Sequence, residues 1–359
     1  MNTPRGRDRP VLITGGCGFI GCNLADTLVA RGDEVIVFDN LSRAGVRENA
    51  QWLKSRHGDR VSIVTGDIRD SISVIEVVRG ARAVLHLAAQ VAVTGSLQEP
   101  VDDFEINARG TLNVLEAVRL HNSHAPLIFA STNKVYGRLV ADDQIMRVGQ
   151  RRVPVDPHLA AGVAEDAPLD FYSPYGCSKG AADQYVRDYA RVYGVNSVVM
   201  RMSCIYGPRQ FGTEDQGWLA HFMLRSILGE PLTIYGDGLQ VRDALHVSDA
   251  TKAWLAVLDN IEISRGRVFN LGGGVDNAIS LLELIDEIAS LRGAAPRFSF
   301  DAWRPGDQPW YVSRVDALTS AVGWKPETSL RDGLRSLLGW LESRFAPPSY
   351  RTRGSYGRE

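Results

Sequence analysis

The sequence predicts an α/β protein, a doubly wound parallel sheet with a smaller C-terminal cap. Three observations carry this expectation. An apolar run, a glycine cluster and a helical pattern follow one another between residues 11 and 29. Short apolar runs then alternate with helical stretches as far as Gly207. Beyond Gly207 the alternation gives way to glycine- and proline-rich turns.

The first strand is VLIT (11–14), followed by GGCGFIG and a helix marked by Leu24, Leu28 and Val29. Gly15, Gly18 and Gly21 form G-x-x-G-x-x-G, a spacing that lets the backbone turn tightly and approach a pyrophosphate. Three glycines alone would also suit a tight turn with no ligand. The next strand, EVIVFD (34–39), ends on Asp39, some two dozen residues after Gly15, where the ribose-binding acid of a dinucleotide fold belongs. A carboxylate there repels a 2′-phosphate and favours NAD, while Arg43 leaves NADP open. Further strands are expected at VSIVTGD (61–67), AVLHLAA (83–89), PLIFAST (126–132) and SVVMRMS (197–203), with helices at 108–121 and 178–194. His86 is read as a packed sheet residue. In the second half, strands are expected at 267–273 and 296–300, and amphipathic helices at 281–291 and 330–342. Residues 9–207 are therefore expected to form a Rossmann-type NAD-binding domain, to which 242–272 returns. Segments 208–241 and 273–345 form the substrate-binding cap. Residues 346–359 lack apolar periodicity and are expected to be a disordered tail.

Composition narrows the class. The chain has 359 residues, 44% of them hydrophobic, and a formal net charge of −2. That balance gives no electrostatic case for nucleic acid or an anionic membrane. No run approaches the ~20 apolar residues of a spanning helix, and MNTPRGRDRP shows no apolar signal core, so a cytoplasmic location is expected. Cys17, Cys22, Cys177 and Cys204 form no C-x-x-C pair, and no metal site is expected.

The chemistry is expected at STNKVYG (131–137) and YGCSK (175–179). A tyrosine titrates near ~10, and lowering it by about three units takes roughly 4 kcal/mol of phenolate stabilisation. Lys179, four residues after Tyr175, shares its helix face and can supply much of that. Thr132 or Ser131 at the adjacent strand end can share the substrate's proton. Tyr175 would then deprotonate a sugar or alcohol hydroxyl while hydride leaves for a nicotinamide.

The ordered stretches TGGCGFIG, DNLSR, GDIRD, LHLAA, INARGTLN, STNKVYG, SPYGCSK, VRDALHVSD and RPGDQ resemble the extended short-chain dehydrogenase/reductase family, specifically its nucleotide-sugar epimerases and dehydratases, across residues 9–342. The resemblance implies Thr132, Tyr175 and Lys179 as the catalytic set. It implies NAD contacts from Gly15, Gly18, Phe19, Ile20, Gly21, Asp39, Asn40, Ser42, Arg43, Asp67, Ile68, Leu87, Ala88, Ala89, Asn107, Tyr175 and Lys179. It places Asn133 and Lys134 near the sugar, Arg242 at the diphosphate, and Arg304 and Asp307 as cap residues that hold diphosphate and nucleotide ribose. A homodimer through helices 108–121 and 178–194 is implied as well. Longer stretches, DFEINARGTLNVLEAVR and DFYSPYGCSKGAADQYVRDYAR among them, are similar to the epimerases that invert C2 of a CDP-linked deoxyhexose.

Dehydratases of the family carry Asp-Glu where this chain has Asn133-Lys134, which disfavours elimination of water. A UDP-sugar 4-epimerase is the alternative, weakened by Val91 where the galactose-type enzymes have a lysine. An inactive NAD-binding scaffold or sensor is the alternative of another class, and the intact Thr132–Tyr175–Lys179 set argues against it.

Overall fold

In the computed structural model, residues 9–345 are described; the tail expected at 346–359 lies outside the described residues. Seven strands form one parallel sheet: β1 (Val11–Thr14), β2 (Val35–Asp39), β3 (Val61–Thr65), β4 (Ala83–His86), β5 (Leu127–Thr132), β6 (Ser197–Met202) and β7 (Val268–Leu271). Their order is β7-β6-β5-β4-β1-β2-β3. The chain starts in the middle and winds first to one edge, then to the other. Neighbouring crossovers therefore part between β1 and β4, the place where such sheets bind ligands beyond the strand ends. β1, β4 and β5 are buried along their whole length, as a sheet covered on both faces requires.

Two apolar layers cover it. Leu24, Leu28, Leu53, Trp254 and Leu258 pack on one face. Val74, Val78, Val114, Val118, Val186 and Tyr189 pack on the other. Helix Pro174–Tyr193 begins four residues before the sequence reading, because Pro174 suits a first helical position and Ser173 caps Gly176 N. That places Tyr175 in the first turn of the helix that also carries Lys179. The helix expected at 108–121 is preceded by a π-helical turn, Glu105–Arg109, that carries Asn107.

The cap holds strand Val241–His246, which pairs with Ala278–Ser280, Trp310–Tyr311 and Cys204–Tyr206. Helices Trp218–Leu228, Leu281–Arg292 and Leu330–Phe345 bury Phe222, Met223, Leu284, Ile288, Leu334 and Leu337 in a core of their own. The packing departs from the expected division at several places: strand Cys204–Tyr206, within 9–207, pairs with the strand at 241–246, and Leu318 and Trp324, within 273–345, join the core under the large sheet. Helix Val247–Asp259 and β7 return to the large sheet, but the strand at 241–246 belongs to the cap. Within 9–207, an excursion after β5 carries an antiparallel hairpin, Ile145–Val148 with Arg151–Pro154, that docks on the cap through Arg152 N to Leu239 O at 2.8 Å. Its charged, four-residue strands have too little apolar alternation to be read as sheet. Among the described residues no helix is long and apolar enough to cross a membrane.

Candidate active site

A cleft of about 700 Å³ opens beyond the ends of β1, β2, β4 and β5. The residues of the β1 turn make one wall. Gly15 has φ +66°, and a Cβ on it would lie 2.7 Å from Ala88 N. The turn thus packs backbone against backbone on the strand end Leu87–Ala88–Ala89, and only glycine fits there. Helix Phe19–Ala30 opens at Gly18 with no side-chain cap, so its first N–H groups are free for an anion. At the end of β2, Asp39 accepts from Cys17 N at 3.0 Å and from Leu41 N at 2.8 Å. Burial raises its pKa, and those backbone donors pull it back down. At the end of β3, Asp67 accepts from Asn40 Nδ2 at 3.0 Å and from both sides of the Arg69 guanidinium, which holds its carboxyl down at about 2.

Gly15, Gly18, Phe19, Ile20, Gly21, Asp39, Asn40, Ser42, Arg43, Asp67, Ile68, Leu87, Ala88 and Ala89 all line this cleft. So do Thr132, Asn133, Lys134, Tyr175 and Lys179. Close glycine backbone, an uncapped helix start and a carboxylate at the second strand end fit a dinucleotide.

Asn107 is completely buried and does not line the cleft. Its amide accepts from Gln90 N at 2.9 Å and donates to Gln90 O, Asp103 Oδ1 and Ser178 Oγ at 3.0–3.1 Å. It thereby fixes the backbone after β4 to the helix of Tyr175. His86 is equally buried, its ring bonded to Thr14 Oγ1 at 2.7 Å and Thr111 Oγ1 at 3.1 Å. Burial lowers its pKa to about 3, so it is neutral packing.

Tyr175 is buried, and that burial pushes its phenol up to about 12, against the pull of Thr132 and Arg43 and with a further push from Asp103. Lys179, which the sequence reading sets behind the phenol, is tied to the sheet. Its Nζ donates to Ala130 O at 2.6 Å and lies 4.1 Å from the centre of the Phe129 ring. Helical spacing puts lysine and tyrosine on one face, but the four-carbon stem carries the ammonium down to the sheet. Burial brings Lys179 to about 7, with Asp183 and Asp103 opposing.

Beside them, Asn133 Nδ2 donates to Gln308 Oε1 at 3.0 Å. Lys134 Nζ donates to Gly306 O at 3.1 Å and stands 3.6 Å from Asp307, to which Arg242 donates at 2.6 Å. Arg304 lies over the Tyr235 ring at 3.8 Å and donates to Glu214 O. Arg242, Arg304 and Asp307 do not line the cleft, but Asn133 and Lys134, which do, bond to Gln308 and Gly306 on either side of Asp307. Sequence reasoning missed Gln90, Asp103 and Gln308; of these only Asp103, four residues before Asn107 on a helical stretch, left a readable signal.

Residues 11–272 match the NAD dependent epimerase/dehydratase family. The chain belongs to that family. NAD is its cofactor, and it is an enzyme. A CDP-paratose 2-epimerase of Salmonella typhi is 44% identical over 340 residues, which span 93% of this chain and 99% of that protein. A dTDP-glucose 4,6-dehydratase of Mycobacterium tuberculosis is 32% identical, with 96% and 98% covered. Among solved structures, the UDP-glucose 4-epimerase of Thermus thermophilus in complex with NAD is similar at TM-score 0.79 and 34% identity, over 93% of this chain and 99% of that one.

The depressed lysine has a consequence for stability. Between about 7, its folded value, and its ordinary 10.5, the unfolded chain binds more protons at this position than the folded one. Folding therefore gains as pH rises through that window, and the cost of burying the ammonium is present in full below it. Unfolding of the wild type and of Lys179→Met by denaturant, across that range, should show the wild type gaining on the variant as pH rises. A difference that stays flat contradicts this assignment.

Proposed function

We propose that this protein is a nucleotide-sugar epimerase that inverts C2 of a CDP-linked deoxyhexose through a transient keto-sugar. The observation that carries the reading is the pair beside Thr132. Elimination of water needs one group to protonate the departing hydroxyl and another to take a proton from carbon. Asn133 has no titrating proton, and its amide is engaged by Gln308. Lys134 is held by Gly306 O and Asp307. Epimerisation asks of the protein's own side chains only that the hydroxyl proton be taken and returned, while the hydride of the same carbon would leave to NAD and come back to the opposite face of the keto-sugar. The 44% identity to a CDP-paratose 2-epimerase supports the nucleotide and the carbon.

Bound NAD supplies the hydride acceptor and a positive ring charge that favours the phenolate. Thr132 holds the reacting hydroxyl at the end of β5, with its own Oγ1 fixed by Lys134 N at 3.2 Å. Tyr175 takes the hydroxyl proton and later gives it back to the carbonyl oxygen. Lys179, bonded to Ala130 O, fixes the helix that carries Tyr175 against β5. Arg242, Arg304 and Asp307 are proposed to reach the diphosphate and ribose from the cap. A guanidinium suits that work because its fork serves two phosphate oxygens.

Incubating the protein with CDP-, UDP- and dTDP-linked hexoses and reading products by NMR tests the substrate. The expected product is the C2 epimer of a CDP-deoxyhexose. Tyr175→Phe should lower its formation by about a thousandfold while NAD content is kept. Turnover only of UDP-sugars at C4, or near-normal activity in the variant, would sink this reading.

We also propose that two copies pair through helices Gly110–His121 and Pro174–Tyr193. Ala182, Val186 and Tyr189 are used by the chain's own sheet. Leu120, Tyr185, Val192 and Tyr193 remain between 46% and 62% exposed on the same helices. Light scattering at micromolar concentration should give twice the chain mass; a monomer mass would overturn the pairing.

A further inference from the structure

Residues 207–217, GPRQFGTEDQG, connect the strand Cys204–Tyr206 to the helix Trp218–Leu228. This segment crosses to the wall of the cleft that carries Asp39 and is fastened there repeatedly. Pro208 O accepts from Asn23 Nδ2 at 3.1 Å, and Arg209 O accepts from Asn49 Nδ2 at 3.4 Å. The Arg209 guanidinium lies 3.8 Å from the centre of the Trp52 ring. The Phe211 ring fills the space that a Cβ on Gly45 would need. Gln216 Oε1 accepts from the Arg43 guanidinium.

The partners are not scattered. Asn23 stands on the helix that opens at the glycine turn. Asn49 and Trp52 lie on one face of helix Val46–His57, which follows Asp39, and Gly45 is its N-cap. Arg43 belongs to the loop between Asp39 and that helix. Both cofactor-facing elements are thus gripped by one strand of cap. The grip is shaped rather than incidental. Arg209 has φ +75°, a conformation that a side-chain-bearing residue keeps only where its surroundings hold it. Phe211 is braced from behind, edge-on to Trp340 at 5.5 Å and Phe345 at 6.3 Å on the last helix of the cap. Asn49, Arg209, Phe211 and Gln216 all line the cleft.

We propose that 207–217 is a clasp that retains the dinucleotide, with Phe211 and Gln216 as its positioning residues. The inference rests on NAD occupying the glycine-turn cleft. Asp39 and Arg43 would hold its ribose, and the clasp is fastened directly over the loop that carries them. Release past that loop is opposed by each contact named above. In a reaction that restores its cofactor in every turnover, slow release does not limit the rate.

The test follows NAD leaving the protein, not activity. NAD-loaded wild type, Phe211→Ala and Gln216→Ala are diluted into buffer with an NAD-consuming scavenger enzyme. Bound NAD is quantified over time after acid extraction, and unfolding temperatures of the NAD-free proteins are recorded. The expected result is release at least about tenfold faster in each variant, with the unfolding temperature of Gln216→Ala unchanged. Release within about twofold of wild type in Gln216→Ala overturns the clasp, even where Phe211→Ala does not fold. Wild type that neither carries nor takes up NAD overturns the cofactor assignment and the clasp together.

Discussion

An arginine and an aspartate, buried side by side with almost no exposure, fix the working face of this molecule. Arg201 on β6 meets Asp183 through two parallel bonds of 2.9 and 3.0 Å. Burying two charges costs several kcal/mol for each ion, and the pair persists only if the remaining lone pairs and protons are satisfied. They are. Ser131 Oγ donates to Asp183 at 2.8 Å, and Arg201 donates to Tyr136 Oη at 3.0 Å and to Glu165 O at 3.2 Å. Tyr136 in turn donates to Asn270 on β7 at 2.8 Å. One ion pair thus joins β5, β6, β7, the excursion after β5, and the helix on which Tyr175, Lys179 and Asp183 stand at four-residue intervals. Losing either partner would leave the other charged and buried, and the angle of that helix over the strand end Ser131–Thr132 would no longer be set.

The cofactor half of the site was legible in the sequence because its physics is local. A glycine turn, a helix start and an acid at the next strand end fall within one short stretch of chain, and each shows in residue type and spacing. The expected catalytic set was legible as a cluster. Thr132, Tyr175 and Lys179 do come to one cleft. The reach of the Lys179 stem was not. Helical spacing says that Tyr175 and Lys179 share a face, but not where a long flexible stem ends, and Ala130 O is its partner.

The sugar side was the least legible. Asn133 meets Gln308, and Lys134 meets Gly306 and Asp307, across more than 170 residues of chain. Such pairings depend on how the cap docks, and no local pattern encodes that. The Arg201–Asp183 pair and the segment 207–217 escaped for the same reason. In both, ordinary charged and turn-forming residues gain their meaning from a partner far away in sequence.

One bond decides the mechanism. In the proposed mechanism the inverted carbon keeps its own hydrogen, because the site offers a phenol for the hydroxyl and only Asn133 and Lys134 where a carbon acid–base pair would stand. The direct measurement is a CDP-linked deoxyhexose deuterated at C2, converted in ordinary water and read by NMR and mass spectrometry. The expected result is an epimerised product that still carries deuterium at C2, with little label in the solvent. Deuterium washed out into water would contradict it, since that hydrogen would then have left as a proton through an acid or a base.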